Sequence, residues 1–282
     1  MRKTILSLAV AAAVAVPSLA FAQATAPAAP PAAAPEPSPF TGNVGLFSQY
    51  IFRGLTQTAG KPALQGGADY AHSSGLYVGT WLSNVSWISD TAIQSGAGAR
   101  NSSLEWDMYG GYKNTFGKSD FGYDVGMLQY YYPGVRMPGA VTANTREVYG
   151  ALTWKWLSAK LSRSVLERTF GVDGSKGTTY LDLSATYPVT DQISLVAHWG
   201  RQKFSGSSPQ CTSVGAGASN SNDTCATYKD WKLGASYSLP QSWSVGGYYT
   251  GTKMTGQQRF NYTLHSYDLG KSSVTAYVQK TF

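Results

Sequence analysis

From Phe40 to the last residue, apolar and polar side chains alternate along the chain with a period of two. In one such stretch, Leu181 and Leu183 alternate with Asp182 and Ser184. This period is typical of a β-strand with one apolar and one polar face, and turn residues bound each stretch. The pattern predicts about twelve strands, near residues 40–55, 62–72, 76–87, 103–113, 120–132, 146–156, 158–165, 178–188, 193–204, 228–239, 243–253 and 272–282.

The connections between the predicted strands alternate between short and long. The short ones are 73–75, 115–119, 157, 190–192 and 240–242. The long ones are 88–102, 133–145, 166–177, 205–227 and 254–271. Barrels of the bacterial outer membrane have short periplasmic turns and long outer loops. We therefore predict an all-β fold, an antiparallel transmembrane β-barrel of about twelve strands with short periplasmic turns and long outer loops.

Aromatic residues fall near both ends of the predicted strands. Those near the short turns are Trp156, Tyr187, Tyr237 and Trp243. Those near the long loops are Tyr50, Trp87, Tyr130, Tyr131, Tyr132, Trp199 and Tyr249. Aromatic rings at both interfaces are expected of a membrane barrel. The alternative is that the rings fill a soluble core, but the opposite strand faces carry enough Ser, Thr, Gly and charge to suit a wet interior.

The composition excludes several classes of protein. Only 13% of the residues are charged, about half the usual share, and 13% are aromatic, which is the reverse of a disordered chain. After the first twenty-odd residues no apolar run approaches the roughly 18 residues of a membrane-spanning helix. The positive net charge is scattered, with no Lys/Arg cluster interleaved with aromatic residues, and we expect no nucleic-acid partner.

The first residues have the pattern of an export signal. Arg2 and Lys3 precede an apolar stretch at 5–16, and Ala20 and Ala22 provide a small-x-small cleavage pattern. The next seventeen residues, QATAPAAPPAAAPEPSP, are almost entirely Ala and Pro, a composition that favours an extended tether. We therefore predict a chain exported to the outer membrane, with a signal peptide at 1–22, a periplasmic tether at 23–39 and a barrel at 40–282.

The two cysteines fit an exported protein. Cys211 and Cys225 enclose a short polar stretch, and nothing beside them offers the further Cys or His of a metal site. An even pair at this spacing in an exported protein predicts a disulfide, which would stabilise the chain by about 3 kcal/mol. We expect no metal and no cofactor.

If the apolar strand faces contact lipid, the other faces line the interior of the barrel. A charged side chain facing lipid near the membrane midplane would cost several kcal/mol, which favours this assignment. Arg53 is the foremost candidate for a structural or constriction cation, with Gln49 beside it. The residues assigned inward are Gln49, Arg53, Asp69, Glu105, Asp107, Lys113, Asp124, Glu147, Lys155, Lys160, Asp182, His198, Asp230 and Lys232.

Two interpretations of these charges remain open. Carboxylates gather on the fourth to sixth predicted strands, and Lys155 and Lys160 follow on the sixth and seventh. Opposed rows of charge can select small polar solutes or ions in a narrow pore. Alternatively, the same groups pair across the barrel and plug it.

An enzyme is the weaker functional hypothesis. A lipid hydrolase or acyl transferase needs a serine activated by a histidine. His72 and Ser74 lie two residues apart beside a turn, whereas His265 and Ser266 are adjacent and point to opposite faces if they are in a strand. We therefore expect no catalysis. A third class is a non-conducting surface barrel whose outer loops bind a partner.

The first third of the barrel region contains several recognisable motifs. They are the S-x-Y-x-F-R-G run at 48–54, PALQGG at 62–67, GLYVG at 75–79 and EWDMYGGY at 105–112. These motifs resemble the TorF-type porin family of proteobacterial outer-membrane proteins, earlier catalogued as a family of unknown function. The resemblance runs from residue 40 to 282 and is strongest at the start. It implies an outer-membrane barrel with a channel, and it implies no substrate.

The last residues, SVTAYVQKTF, end in an aromatic side chain. Phe282 shares an alternating face with Val278, Ala276 and Val274 and resembles the C-terminal signal that the barrel-assembly machinery reads, although Lys280 departs from that pattern. The sequence thus predicts a narrow passive channel for small polar solutes or ions, with outer-membrane lipids and the assembly machinery as partners.

Overall fold

The computed structural model describes residues 38–94, 102–134, 142–209, 211 and 220–282, and twelve of its strands close into one antiparallel barrel. These strands are β1 Phe40–Phe47, β2 Ala63–Ala71, β3 Leu76–Asn84, β4 Leu104–Thr115, β5 Phe121–Tyr131, β6 Thr145–Trp154, β7 Leu157–Ser164, β8 Thr179–Pro188, β9 Ile193–Lys203, β10 Tyr228–Leu239, β11 Trp243–Lys253 and β12 Ser273–Thr281. Each strand pairs with its chain neighbours, and β12 closes the barrel on β1 in a register that runs from Asn43↔Thr281 to Phe47↔Tyr277.

The predicted fold class and strand number are confirmed. Two predicted strands are shorter than expected. β1 ends at Phe47, and the chain then folds into the barrel instead of continuing to residue 55. β3 ends at Asn84, and helix α1, Trp87–Gln94, begins close behind it.

The barrel has an apolar outside and a polar inside. Leu64, Val78 and Leu233 each expose more than half of their surface on the outside, whereas Glu105 and Asp107 on the inside are almost completely buried. Leaving a large apolar side chain in water forfeits about 1.5–3 kcal/mol of burial energy. An exterior covered with such side chains therefore matches a lipid environment, as in membrane barrels.

The two ends of the barrel differ as the sequence predicts. Short connections at one end join successive strands, namely 72–75, 116–120, 155–156, 189–192 and 240–242. The connections at the other end are long and contain α1, helix α2, Asn222–Ala226, and helix α3, Gly256–Asn261. Within the described ranges, no helix is long and apolar enough to cross a membrane.

Lys155 does not line the interior, contrary to the sequence assignment. The strand β6 ends at Trp154, and Lys155 is the first residue of the turn to β7, with a positive φ of 53°. Its side chain is 52% exposed and lies 3.8 Å from a carboxylate oxygen of Asp120 in the neighbouring turn. The assignment failed because the alternating pattern runs through the turn without a break.

The aromatic prediction holds at the short-turn end and only partly at the other. Outward-facing rings at the short turns include Trp156, Tyr187 and Trp243. At the long-loop end Trp199 and Tyr249 also face outward, but the rings of Tyr50, Tyr130 and Tyr132 are buried inside the barrel.

The predicted disulfide between Cys211 and Cys225 is confirmed, with Cα atoms 5.7 Å apart in a long connection. It packs with Phe204 and Ala226 in a small apolar cluster. The side-chain amide of Asn222, which is fully buried, donates hydrogen bonds to the carbonyls of Asp173 and Ser205, both at 2.9 Å. This loop is therefore tied to the connection before β8.

The predicted signal peptide at 1–22 and nearly all of the tether at 23–39 lie outside the described residues. The barrel begins at Phe40, where the tether was predicted to end.

Candidate functional site

A small β-hairpin enters the barrel from the connection between β1 and β2. Ile51–Phe52 pairs with Leu55–Thr56, and Arg53 and Gly54 form the two-residue turn. Both turn residues have positive φ, 47° and 77°, as tight hairpins require. A Cβ at Gly54 would collide with Asp230 and Thr252 on the opposite wall, so only glycine fits there. We call residues 51–56 the lumen hairpin.

The tip of the lumen hairpin is anchored across the barrel by Arg53. Its guanidinium donates two hydrogen bonds to Glu147 on β6, at 3.0 and 2.7 Å, and a third at 2.7 Å to Gln202 on β9. It also lies over the Tyr180 ring of β8, 4.2 Å from the ring centre. The Arg53 and Glu147 side chains are only 7% and 2% exposed. Two-point pairing of this kind fixes orientation as well as charge.

The neighbouring Glu147 keeps the Arg53 side chain charged. Burial alone would lower the pKa of the guanidinium, but the charge of Glu147 and its hydrogen bonds hold that pKa well above its usual range. Arg53 is therefore a permanent cation inside the lumen, and its partners Glu147, Tyr180 and Gln202 lie near the long-loop ends of their strands.

The base of the hairpin is held by polar contacts to neighbouring strands. The Gln49 amide donates to Ser273 and to the carbonyl of Val274, at 3.0 and 3.1 Å. The Tyr50 hydroxyl donates to Glu105 at 2.6 Å. Gln49 is thus buried in the anchoring of the loop, although the sequence placed it beside the lumen cation.

The interior faces of β4 and β5 combine carboxyl groups with tyrosine hydroxyls, and we call them the tyrosine wall. Glu105 accepts hydrogen bonds from Tyr50 and Tyr132, at 2.6 and 2.7 Å. Asp124 accepts one from Tyr77 at 2.7 Å. Asp107 is buried between them, and its Oδ1 atom has no hydrogen-bond partner among the described residues. On the same wall, Lys113 pairs in register with Asp124, and its ammonium nitrogen lies 5.3 Å from the centre of the Tyr77 ring.

The interior faces of β8, β9 and β10 form what we call the histidine wall. The His198 ring lies between two carboxylates, with Nε2 2.9 Å from Asp230 and Nδ1 3.3 Å from Asp182. The Tyr180 hydroxyl donates to both Asp230 oxygens at 3.1 Å. Lys232 lies on β10, and its Nζ is 5.2 Å from the centre of the Tyr248 ring.

Ser184, His198 and Asp230 have the order of contacts of a hydrolase triad, with Ser184 Oγ 3.0 Å from Nδ1 of the ring. The surroundings do not suit that chemistry. Both ring nitrogens face a carboxylate, so both serve as donors, and Ser184 Oγ donates to Asp182 at 2.5 Å. A ring that donates from both nitrogens has no lone pair to accept the proton of a serine. His198 is therefore a fixed cation between two carboxylates.

A small cavity of about 40 Å³ lies between the lumen hairpin and the histidine wall. Arg53, Lys160, Asp182, His198 and Lys232 are among its lining residues. The Lys160 Nζ lies 3.8 Å from the centre of the Tyr149 ring.

The structure places most predicted lining residues on interior faces. They are Asp69, Glu105, Asp107, Lys113, Asp124, Glu147, Lys160, Asp182, His198, Asp230 and Lys232. Arg53 lies inside on the hairpin, Gln49 lies at the hairpin base, and Lys155 lies in a turn. Sequence reasoning missed the tyrosine hydroxyls, Gln202 and the hairpin itself. The Phe-Arg-Gly run was a usable signal, because Gly after a polar residue favours a tight turn.

Comparisons with known proteins agree with this architecture. A family model described as a bacterial protein of unknown function (Gcw_chp) matches residues 31–282. No curated protein sequence matches the chain significantly. The structure of the KdgM porin is similar with a TM-score of 0.50 and 9% identity, covering 86% of this chain and 99% of that one. At such low identity this likeness supports the barrel fold alone.

Two further solved structures are similar at lower scores. The NanC porin has a TM-score of 0.48 and 10% identity, covering 86% of this chain and 98% of that one. An outer membrane channel from Pseudomonas putida F1 has a TM-score of 0.48 and 9% identity, covering 91% of this chain and 100% of that one.

Proposed function

The chain belongs to the Gcw_chp family of bacterial proteins of unknown function, and we propose that it is a narrow outer-membrane channel for passive diffusion of small polar solutes or ions. One observation carries the proposal. The outward faces of all twelve strands are mainly apolar and carry no carboxyl group, while all seven strand carboxyl groups line the inside. A polar interior within an apolar shell favours a water-filled path across a membrane.

The domain plan and the location belong to the same proposal. A signal peptide at 1–22 and a tether at 23–39 would deliver the barrel at 40–282 to the outer membrane, and Phe282 would be read by the assembly machinery. The resemblance to TorF-type porins, which includes the run at 48–54, implies an outer-membrane barrel and supports this plan.

The hairpin provides the constriction in this proposal. Arg53 at its tip, paired with Glu147, would narrow the lumen, and Lys160, Asp182 and Lys232 line the cavity beside it. Asp69, Glu105, Asp107 and Asp124 supply acidic groups on the other side of the lumen. A solute would pass between a wall rich in carboxyl groups and a wall with added lysines, so that small polar or charged solutes are favoured over apolar ones.

Catalysis has little support. His198 is engaged on both ring nitrogens. His72 and Ser74 are in contact at 2.8 Å, but both are exposed at a turn. A channel therefore fits the barrel better than an enzyme does.

A second candidate is a non-conducting surface barrel, and the packing of the hairpin favours it. Leu55 of the hairpin packs with Tyr228, Leu264 and Leu269 in an apolar cluster towards the long connections. The amide of Thr56 donates to the carbonyl of Leu269 at 2.9 Å. If this cluster never opens, the barrel serves as a support for its outer loops.

Conductance of the refolded mature protein in a planar lipid bilayer distinguishes the two candidates. The channel proposal predicts discrete current steps, and it predicts larger steps in the double variant Arg53→Ala/Glu147→Ala. The double variant releases the hairpin tip without leaving one buried charge unpaired. The matched control is Lys155→Ala/Asp120→Ala, which removes an exposed ion pair at a turn and should leave the steps unchanged.

Heat-modifiable gel mobility serves as the test of folding. Folded protein without steps in either form would exclude the channel and leave the surface barrel. Equal steps in wild type and the Arg53/Glu147 variant would show that the hairpin is not the constriction.

A further inference from the structure

The charges on the outside of the barrel strands all have one sign. All seven strand carboxylates face inward, namely Asp69, Glu105, Asp107, Asp124, Glu147, Asp182 and Asp230. The seven charged strand residues that face outward are cations. One of them, Lys280, lies near the short turns, and its ammonium group donates to the carbonyl of Gln241. The other six lie at the long-loop end, and we call them the cation sector: Arg146, Arg163, Arg201, Lys203, Lys229 and Lys253.

The cation sector covers only one side of the barrel. Its residues lie on β6, β7, β9, β10 and β11, and β8 contributes the small side chain of Thr179 between Arg163 and Lys203. The outward faces of β1 to β5 and of β12 carry no charge at this end. Six cations on one side of the barrel repel one another, and the same strand faces carry no carboxylate. A bound anion would reduce this repulsion.

Strand register places these cations directly beside one another. Arg201 on β9 pairs with Lys229 on β10, and Lys229 pairs in turn with Lys253 on β11. Like charges directly opposite each other in a sheet are destabilising. In the part of the chain that the structure describes, none of the six forms an ion pair within 4.0 Å.

The aromatic rings below the cation sector indicate its depth in the membrane. Trp199 pairs with Trp231 two residues further into the barrel than the Arg201–Lys229 pair, and the Trp231 ring lies 5.2 Å from that of Tyr249. Two strand residues span about 7 Å. Such rings mark the edge of the hydrocarbon region, which puts the cations at the level of lipid headgroups.

We propose that the cation sector binds the phosphate groups of lipid A, the membrane anchor of the lipopolysaccharide in the outer leaflet. Arginine and lysine are the side chains that recognise phosphate, and basic groups at the interface bind lipid headgroups. The apolar side chains below the sector, such as Leu161 and Leu183, would contact the acyl chains. The proposal shares the outer-membrane placement with the proposed function, but it does not require a channel.

Binding of lipid A to the refolded protein in non-ionic detergent tests this proposal. The triple variant Arg201→Gln/Lys229→Gln/Lys253→Gln should bind diphosphorylated lipid A more weakly, by about fivefold per cation and about 100-fold in total. The matched control is Lys118→Gln/Lys155→Gln/Lys280→Gln, which removes three cations at the short-turn end and should bind like wild type. Dephosphorylated lipid A should not distinguish the triple variant from wild type.

Several outcomes would overturn the proposal. The first is that the triple variant binds lipid A as tightly as wild type does. The second is that the control variant loses as much affinity for lipid A as the triple variant. The third is that wild type binds phosphatidylglycerol as tightly as it binds lipid A. If the triple variant fails the gel-mobility test of folding, Lys229→Gln replaces it, with Lys155→Gln as control and an expected loss of about fivefold. Because no current is measured, failure of the channel leaves this result intact.

Discussion

The two walls of the lumen stabilise buried carboxyl groups in different ways. Each wall buries carboxyl groups in a barrel interior, where an unsatisfied polar group is costly. In the tyrosine wall, Glu105 and Asp124 receive hydrogen bonds from neutral hydroxyl groups. In the histidine wall, the His198 ring lies between Asp182 and Asp230 and supplies charge as well as hydrogen bonds.

This difference has an electrostatic consequence. A hydroxyl donor stabilises a carboxylate but leaves its negative charge in place, whereas an imidazolium ring compensates the charge. Lys160 and Lys232 add further positive charge near the histidine wall. Counted as formal charges, β4 and β5 carry three carboxyl groups and Lys113 inside, whereas β7 to β10 carry two carboxyl groups with Lys160, Lys232 and His198. Arg53 contacts both sides, through the Tyr130 hydroxyl and the Tyr180 ring. A difference in charge across the lumen can select solutes by their charge at a constriction.

The largest effect is expected from removing the cation of the histidine wall. The substitution His198→Ala leaves Asp182 and Asp230 facing each other without compensation, which should lower the free energy of unfolding by about 3–5 kcal/mol. Denaturant unfolding followed by gel mobility measures the change. His72→Ala, at an exposed turn, is the control and should have almost no effect. A loss no greater than that of the control would mean that the carboxylates need no cation.

A smaller effect is expected in the tyrosine wall, where each carboxyl group has neutral donors. Tyr132→Phe removes one of the two hydroxyl groups that donate to Glu105, and should lower the free energy of unfolding by about 1–3 kcal/mol. The control is Tyr131→Phe, the preceding residue on the opposite strand face. If both substitutions had the same effect, the Glu105 hydrogen bond would contribute nothing to stability.

The smallest effect on stability is expected from Lys160, whose ammonium group has a ring contact and no ion pair among the described residues. If the barrel conducts, Lys160→Gln should shift the reversal potential in a salt gradient towards cation preference, because it weakens the positive side of the lumen. Lys155→Gln in the exposed turn should leave it unchanged. An unchanged reversal potential in both variants would remove Lys160 from the permeation path.

Much of the barrel could be predicted from the sequence, because strand alternation is a local property. The inward and outward faces of β8 and β10 can each be assigned from a single stretch of alternating residues. The lengths of the connections distinguish the short-turn end of the barrel from the long-loop end. The turn between β6 and β7 was predicted at residue 157 but lies at 155–156, because the alternation continues through it. The hairpin at 51–56 was missed because its alternating pattern continues that of β1. The Arg-Gly pair was the one local turn signal, and the contacts with Glu147 and Asp230 on the far wall show that the segment is not part of the strand.

The sequence by itself determined the strand number, the sidedness of each strand and the two ends of the barrel. Successive side chains on a pleated strand point to opposite faces, so the order of neighbouring residues is enough to predict these features. Only the tertiary structure decided which distant groups meet. The cations of β6 to β11 are scattered along the chain and form one sector only after the strands pair. Arg53 is likewise nearly a hundred residues from Glu147, and closure of the barrel brings the two side chains within 2.7 Å of each other.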